Sequence, residues 1–122
     1  MTAKILCVED DVNNRLLIRR ILMAEGYQVI EAANAVETIR QVQDQHPDLV
    51  LMDINLPVED GYILTAKLRM IPHMTTVPII AVTANVMRGD RERSLEAGCD
   101  GYIQKPIDVD LLPQQIQQFL KR

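Results

Sequence analysis

Four polar side chains of types that could do chemistry come at the ends of short apolar segments: Asp10, Asp53, Thr83 and Lys105. An aspartate can attack phosphorus as a nucleophile, and crowded carboxylates repel one another unless a cation binds between them. Oxygen ligands suit a hard cation such as Mg²⁺. A threonine hydroxyl and a lysine ammonium can contact the oxygens of a phosphoryl group. Because phosphoryl transfer depends mostly on positioning and charge stabilisation, these residues and one Mg²⁺ suit phosphoryl transfer to Asp53.

The apolar segments that precede these residues have the pattern of strands buried on both faces. Three contain at least four consecutive apolar residues and two are weaker candidates: 4–8, 48–52 and 78–82, then 27–31 and 101–104. Such short runs, without polar alternation, are typical of a parallel sheet covered by helices.

Helical periodicity fills the segments between the predicted strands. The apolar stripes are Leu17, Ile18, Ile21 and Leu22; Ala35, Ile39 and Val42; Ile63, Leu64 and Leu68 beside Lys67; and Leu112, Ile116, Phe119 and Leu120. A charged segment, 88–97, predicts one more helix, which Gly98 ends at its C′ position. The alternation predicts an α/β fold, a doubly wound five-stranded parallel sheet with helices on both faces.

This fold would bring the four polar residues to one place. The carboxyl ends of the strands form the ligand crevice of such a sheet, at the point where the strand order reverses. For the order 2-1-3-4-5, that point lies between the first and third strands, so Asp10 and Asp53 would face each other across it.

Each of the four residues also has an ordinary structural interpretation. Asp10 or Asp11 could cap the following helix, and Asp53 could be a turn residue. Thr83 could be an N-cap, and Lys105 a solvated surface lysine. The coincidence of all four at strand ends, in the order that the crevice requires, favours the functional interpretation.

Length, charge and composition set the class of protein. The chain of 122 residues has a net charge of -4 and is 48% hydrophobic, which predicts one globular domain over residues 1–122. We expect no direct contact with nucleic acid, which usually requires a basic surface. Neither a membrane-length apolar run nor a signal peptide is visible, so we expect a cytoplasmic protein without a membrane partner. Cys7 and Cys99 lack metal-binding spacing and are expected to be small buried residues, and His46 and His73 receive no role.

Several segments of the chain resemble the receiver domain of bacterial two-component systems. They are Val8 to Asp11, Leu51 to Pro57 continuing through Asp60 and Gly61, Pro78 to Ala84, Gly98 to Tyr102, and Lys105 with Pro106. The resemblance extends over the whole chain, and it is greatest to single-domain response regulators and to the receivers of hybrid histidine kinases. It implies a flavodoxin-like fold with strand order 2-1-3-4-5.

The resemblance also implies a role for each matching residue. It implies that Asp53 is the phosphoacceptor and that Mg²⁺ binds Asp10, Asp53 and the backbone carbonyl of Asn55, with Glu9 acting directly or through a water. Thr83 and Lys105 would contact the phosphoryl group, and Thr83 and Tyr102 would be the switch residues. The Lys105–Pro106 peptide bond would be cis. The donor would be a histidine kinase or a histidine phosphotransfer protein. Phosphorylation would then alter a surface of the fourth helix, fifth strand and fifth helix, where a downstream protein binds. Self-phosphorylation and slow autodephosphorylation would be the chain's only chemistry, so it would not be an enzyme in the usual sense.

Other functions remain open at this point. A phosphohydrolase of the haloacid dehalogenase kind also uses an aspartate nucleophile, but it carries a second aspartate two residues later, where this chain has Asn55. A pure interaction module that is never phosphorylated would not need the four polar residues. A receiver fragment of a hybrid histidine kinase would have the same sequence features, and Tyr102 could simply be a strand residue that packs on a helix.

Overall fold

The computed structural model describes residues 2–56, 58, 60–84 and 90–120, in which strands and helices alternate. The elements are β1 Lys4–Val8, α1 Val12–Ala24, β2 Gln28–Ala32, α2 Ala35–Gln45, β3 Leu49–Asp53, α3 Gly61–Arg69, β4 Ile79–Thr83, α4 Asp90–Ala97, β5 Gly101–Gln104 and α5 Leu112–Leu120. A short 3-10 turn, Pro72–Met74, precedes β4. None of the described helices has the length and apolar character needed to cross a membrane.

The five strands form one parallel sheet in the order β2-β1-β3-β4-β5, which confirms the predicted fold. Strands β2, β3 and β4 each begin and end one residue later than the sequence predicted. The shift matters because Asp53 and Thr83 are then the last residues of their strands, and the ladder fixes their backbone. Asp53 is paired with Val82, and Thr83 with Gln104.

The sheet separates two hydrophobic clusters. Side chains of one pleat, such as Leu6 and Met52, pack with residues of α2 and α3, and those of the other pleat, such as Cys7 and Leu51, pack with α1 and α5. Each fully buried aliphatic side chain contributes about 1.5–3 kcal/mol to folding. This burial on both faces is why the strands carry continuous apolar runs. It also confirms Cys7 and Cys99 as buried free cysteines.

The helix boundaries resolve one choice that the sequence left open and agree with one prediction. Asp11, not Asp10, is the N-cap of α1: its Oδ1 accepts hydrogen bonds from the backbone N–H of Asn13 (2.8 Å) and of Asn14 (3.4 Å). Gly98 follows α4 with a φ of 110°, as predicted for a C′ glycine. The helix predicted over 88–97 is described from Asp90 onward, and residues 88 and 89 lie outside the described residues.

Two residues that the sequence places in apolar stripes, Leu17 of α1 and Ile63 of α3, are exposed in the structure. Leu17 was placed in the apolar stripe of α1, but it is exposed, because Ile18, Ile21 and Leu22 already cover the sheet. His46 and His73, far apart in the sequence, have ring centroids only 4.1 Å apart. The C-terminal end of α2, where His46 has a φ of 50°, brings this residue beside the 3-10 turn.

Candidate functional site

Three carboxylates meet at the carboxyl ends of β1 and β3. Glu9, Asp10 and Asp53 each place one oxygen within 4.8 Å of the others. These two strands are neighbours in the sheet, so the residues that end them share one edge. Glu9 is 2% exposed and Asp53 is 3% exposed, whereas Asp10 faces solvent. The site therefore concentrates negative charge in a mostly buried position.

Lys105 supplies the positive charge that this cluster needs. Its Nζ lies 3.1 Å from Glu9 Oε1 and 3.3 Å from Asp53 Oδ2, and its side chain is 17% exposed. The alternative of a solvated surface lysine is therefore wrong for the described structure. Its backbone N–H donates to Thr83 O at 2.8 Å, and the Lys105–Pro106 peptide bond is cis.

Burial and crowding change the proton affinity of this cluster. Burial raises the pKa of Glu9 from 4.5 to about 7, and the hydrogen bond with Asp53 and the negative charge of Asp53 act in the same direction. The hydrogen bond and the positive charge of Lys105 lower this pKa but do not outweigh the increase. Burial alone would lower the pKa of Lys105, but the hydrogen bond to Glu9 and the two carboxylate charges outweigh it, so this pKa lies above its usual value. The lysine therefore stays protonated while Glu9 titrates near neutral pH.

Thr83 and Asn55 complete the site on the side of β4. Thr83 is buried at the end of its strand, and Asn55 Nδ2 lies 3.4 Å from its hydroxyl oxygen. The backbone N–H of Asn55 donates to Asp53 Oδ1 at 2.9 Å, which orients the carboxylate. Asn55 also occupies the position where a phosphohydrolase of the haloacid dehalogenase kind has its second aspartate, and an amide cannot serve there as a general acid or base.

Tyr102 lies in β5, the strand that leads to Lys105, and β4 separates this strand from β3 and its carboxylate. It pairs with Ala81 in β4, is partly buried and packs against the hydrophobic cluster that includes α3. It also borders a cavity together with Ser94, Leu95 and Phe119. The packing agrees with the simple strand-residue interpretation, and the cavity brings the residue beside side chains of α4 and α5.

One residue that supports the site was missed from the sequence. Arg15 Nη1 donates to the backbone carbonyl of Glu9 at 2.9 Å, and its Nε lies 3.5 Å from Glu31 Oε1 in β2. The arginine thereby holds the loop that carries Glu9 and Asp10. The sequence signal for this role is an arginine one turn after the N-cap Asp11. Its partner Glu31 on β2 becomes evident only from the sheet order.

The donor set suits a hard divalent cation. Glu9, Asp10 and Asp53 offer carboxylate oxygens, and Mg²⁺ prefers oxygen ligands and commonly retains waters beside one or two carboxylates. Asp10 is exposed, so it can bind a cation without breaking an existing buried contact. The residues present therefore fit the cation that the sequence predicted.

Comparisons with known proteins agree with this geometry. Residues 5–117 match the family model for the response regulator receiver domain. The chain is 39% identical over 120 residues to the polar-differentiation response regulator DivK of Brucella ovis, covering 98% of each chain.

Solved structures of similar proteins share the fold along their whole length. The receiver domain of the sensor histidine kinase PA1611 from Pseudomonas aeruginosa, solved with a magnesium ion in its active-site cleft, is 38% identical, with a TM-score of 0.91 over 100% of both chains. The chemotaxis protein CheY4 of Vibrio cholerae is 26% identical, with a TM-score of 0.94 over 98% of this chain and 99% of that one. The match to the family model, the relatives and the arrangement of acidic residues lead to one conclusion: the chain belongs to the response regulator receiver domains of two-component signalling.

Proposed function

We propose that this receiver takes a phosphoryl group on Asp53 from the phosphohistidine of a histidine kinase or a histidine phosphotransfer protein. A carboxylate oxygen of Asp53 forms the new bond to phosphorus. The phosphorus–nitrogen bond of the donor breaks, and its electron pair returns to the imidazole. The observation that carries this proposal is the position of Asp53: buried, at the end of β3, with Lys105 Nζ at 3.3 Å.

Two neighbouring residues would stabilise the transferred group. Lys105 lies close enough to place its charge on a phosphoryl oxygen, and the Thr83 hydroxyl can donate a hydrogen bond to another. Asn55 holds both the carboxylate, through its backbone N–H, and the threonine, through its side chain. These groups position the reacting oxygen and offset its charge, which is most of what phosphoryl transfer needs.

We assign the cation site to Asp10, Asp53 and the backbone carbonyl of Asn55, with Glu9 acting directly or through a water. The clustering of the three carboxylates and the magnesium ion in the PA1611 receiver support this assignment. When bound, Mg²⁺ neutralises part of the negative charge of the carboxylates and the incoming phosphoryl oxygens. Of the two adjacent acidic residues, Asp10 is the expected direct ligand, because it is exposed whereas Glu9 is buried against Lys105.

The protein donor would approach the face that carries the acidic residues. Val12 follows the acidic loop after β1, and Val109 and Leu111 lie in the segment after Lys105, and all three are exposed. Apolar side chains next to a reactive group can be buried by a protein partner, and a small phosphodonor would not need them.

The extent of the receiver domain is a separate part of the proposal. The described helices pack on one sheet, which supports one receiver domain over residues 1–122.

Output would pass through Thr83 and Tyr102 to the surface of α4, β5 and α5. A phosphoryl group on Asp53 offers oxygens towards which the Thr83 hydroxyl can move, and the Tyr102 ring can turn into the vacated space. The partial burial of Tyr102 and the cavity that it borders with Ser94, Leu95 and Phe119 support this path. The downstream protein would bind the altered surface, so the signal is a two-state packing change.

The first test is chemical. Acetyl phosphate with Mg²⁺ is expected to add one phosphoryl group to the wild-type protein, and Asp53→Asn is expected to remain unlabelled, as read by intact-mass spectrometry. The control is Asp44→Asn, which removes an exposed carboxylate of α2 and should be labelled like the wild type. Equal labelling of Asp53→Asn and wild type would contradict the assignment.

A second test separates two adjacent aspartates. Asp10→Asn is expected to weaken Mg²⁺ binding by roughly tenfold or more, because a ligand charge is lost. Asp11→Asn is the matched control: it removes the same charge one residue later, but asparagine still caps α1. Calorimetric titration of both variants with Mg²⁺ measures the difference. If both bind Mg²⁺ equally well, Asp10 is not a ligand.

A further inference from the structure

Tyr62 connects α3 to α4 through a buried hydrogen bond. Its side chain is in the first turn of α3, and the residue is 8% exposed. The Ser94 hydroxyl of α4 donates to Tyr62 Oη at 3.3 Å, and Ser94 is 1% exposed. The contact joins residues 32 positions apart in the sequence. Since both groups are buried, this bond is protected from competition by water.

On the other side, the backbone at Tyr62 is fixed to the segment that carries the phosphoacceptor. Its N–H donates to Asp60 Oδ1 at 2.7 Å, and the N–H of Gly61 donates to Ile54 O at 3.2 Å. Gly61 lies so close to this segment that a Cβ added to it would be 2.5 Å from the Asp53 carbonyl oxygen. The start of α3 and the end of β3 must therefore move together.

Arg93 of α4 makes a second contact with Tyr62, over the face of its ring. The guanidinium carbon of Arg93 lies 4.7 Å from the ring centroid, and its Nη2 lies 3.6 Å from Asp60 Oδ2. The Arg93 side chain is 63% exposed, so its ion pair is screened by water and contributes little. The buried bond between Tyr62 and Ser94 is therefore the specific part of the connection.

We propose that Tyr62 is a positioning residue that links the Asp53 backbone to α4 by a route separate from Thr83 and Tyr102. The Tyr62–Ser94 bond belongs to the unphosphorylated arrangement and holds α4 in it. Because Tyr62 is fixed to the phosphoacceptor segment, it cannot follow a displacement of α4, and such a displacement breaks the bond. This proposal rests on the proposed phosphorylation of Asp53.

The bond therefore sets how often the unphosphorylated protein visits the active arrangement. A minor conformation is commonly populated at about 0.1–10%, and a contact made in one state alone shifts the balance between them. An intramolecular hydrogen bond of ordinary net strength changes such a ratio by roughly fivefold. Removing the Tyr62 hydroxyl should raise the active population of the unphosphorylated protein by about this factor.

The test uses the full chain and three variants: Tyr62→Phe, Ser94→Ala and the double variant. Beryllofluoride with Mg²⁺, which mimics an acyl phosphate, first defines the amide shift change of α4 in the wild type. Each single variant, without beryllofluoride, should move the α4 resonances part of the way along that change. The double variant should move them no further than the larger single effect, because one bond is lost in every case. Tyr27→Phe, in the connection between α1 and β2, is the control and should leave α4 unchanged.

The outcomes separate this proposal from the proposed function. Single variants whose α4 resonances stay at wild-type positions, or move off the line defined by beryllofluoride, overturn the link through Tyr62 while phosphorylation of Asp53 stands. Fully additive effects of the two substitutions also overturn it. A wild-type protein that takes neither a label nor beryllofluoride overturns the proposed function and, with it, this inference. Tyr62→Phe keeps the ring, so a thermal melt near that of wild type is expected.

Discussion

Replacing Lys105 by methionine is expected to destabilise the metal-free protein by about 3 kcal/mol at a pH of about 8. Lys105 Nζ contacts both Glu9 and Asp53, whose carboxylates are almost fully buried. Removing one partner of a buried ion pair leaves charge that neither water nor protein compensates. The cost lies at the lower end of the usual range because the Lys105 side chain is still 17% exposed.

This destabilisation should depend on pH with a definite sign. The pKa of Glu9 is raised to about 7 in the folded protein, against 4.5 for an ordinary glutamate. Between these values the folded state binds more protons than the unfolded state, so the stability contributed by Glu9 falls as the pH rises through this window. Methionine removes the group that lowers the pKa of Glu9, and the window then extends to higher pH. Lys105→Met should therefore cost much less at a pH of about 5, where Glu9 is protonated, than at about 8.

Urea unfolding in the presence of a chelator measures both effects. Asp53→Asn in the Lys105→Met background is the internal control and should restore much of the lost stability, because one of the two uncompensated carboxylates is gone. Lys67→Met, an exposed lysine of α3, should change stability little. An equal loss at both pH values would mean that the carboxylates are not the source of the cost.

The strands and the edge of the sheet that carries the site follow from local features of the sequence, whereas the order of the strands was implied by the resemblance to receiver domains. Apolar runs such as 49–52 are buried on both faces, and a parallel sheet brings their carboxyl ends together. Asp53 and Thr83 could therefore be assigned to one edge from their places at the ends of these runs. The choice between Asp10 and Asp11 could not be made this way, because both precede a helix and only the extended backbone of Asp11 makes it the cap.

Several side-chain contacts between distant segments, outside the carboxylate cluster, could not be predicted from the sequence. The amide of Asn55 reaches Thr83 from another strand, and the phenol of Tyr62 reaches Ser94 from another helix. Arg69 is the largest case: its guanidinium donates to the backbone carbonyls of Gly98, Met74 and Val77 and to the carboxylate of Asp100. Such bonds depend on the final packing of helices, and no periodicity or cap residue indicates them.

Gly61→Ala is expected to destabilise the protein by about 3 kcal/mol, near the upper end for overpacking. The Cβ would lie 2.5 Å from the Asp53 carbonyl oxygen and 2.7 Å from Ile54 Cα. Both are backbone atoms held in the sheet region, since the Ile54 N–H donates to Val82 O at 3.1 Å. No side-chain rotation can relieve this contact, so either α3 or the end of β3 must shift.

Gly26→Ala provides the matched control for the loss of glycine flexibility. Gly26 has a φ of 89°, and a Cβ there would meet nothing within 4 Å. Alanine at that position suffers the strain of a left-handed backbone without a steric clash, which costs about 1–2 kcal/mol. The comparison therefore distinguishes the close approach at Gly61 from a conformational penalty.

Chemical unfolding of both variants, together with acetyl phosphate labelling of the folded protein, measures the consequences. Gly61→Ala should be the less stable of the two, and its folded fraction should label more slowly, because the shift displaces Asp53 relative to Lys105. Gly26→Ala should label at the wild-type rate, since it lies in the connection between α1 and β2. If Gly61→Ala is no less stable than Gly26→Ala and labels normally, the start of α3 can withdraw from the phosphoacceptor strand. The backbone of Asp53 would then move independently of α3, contrary to the close packing on which their coupling depends.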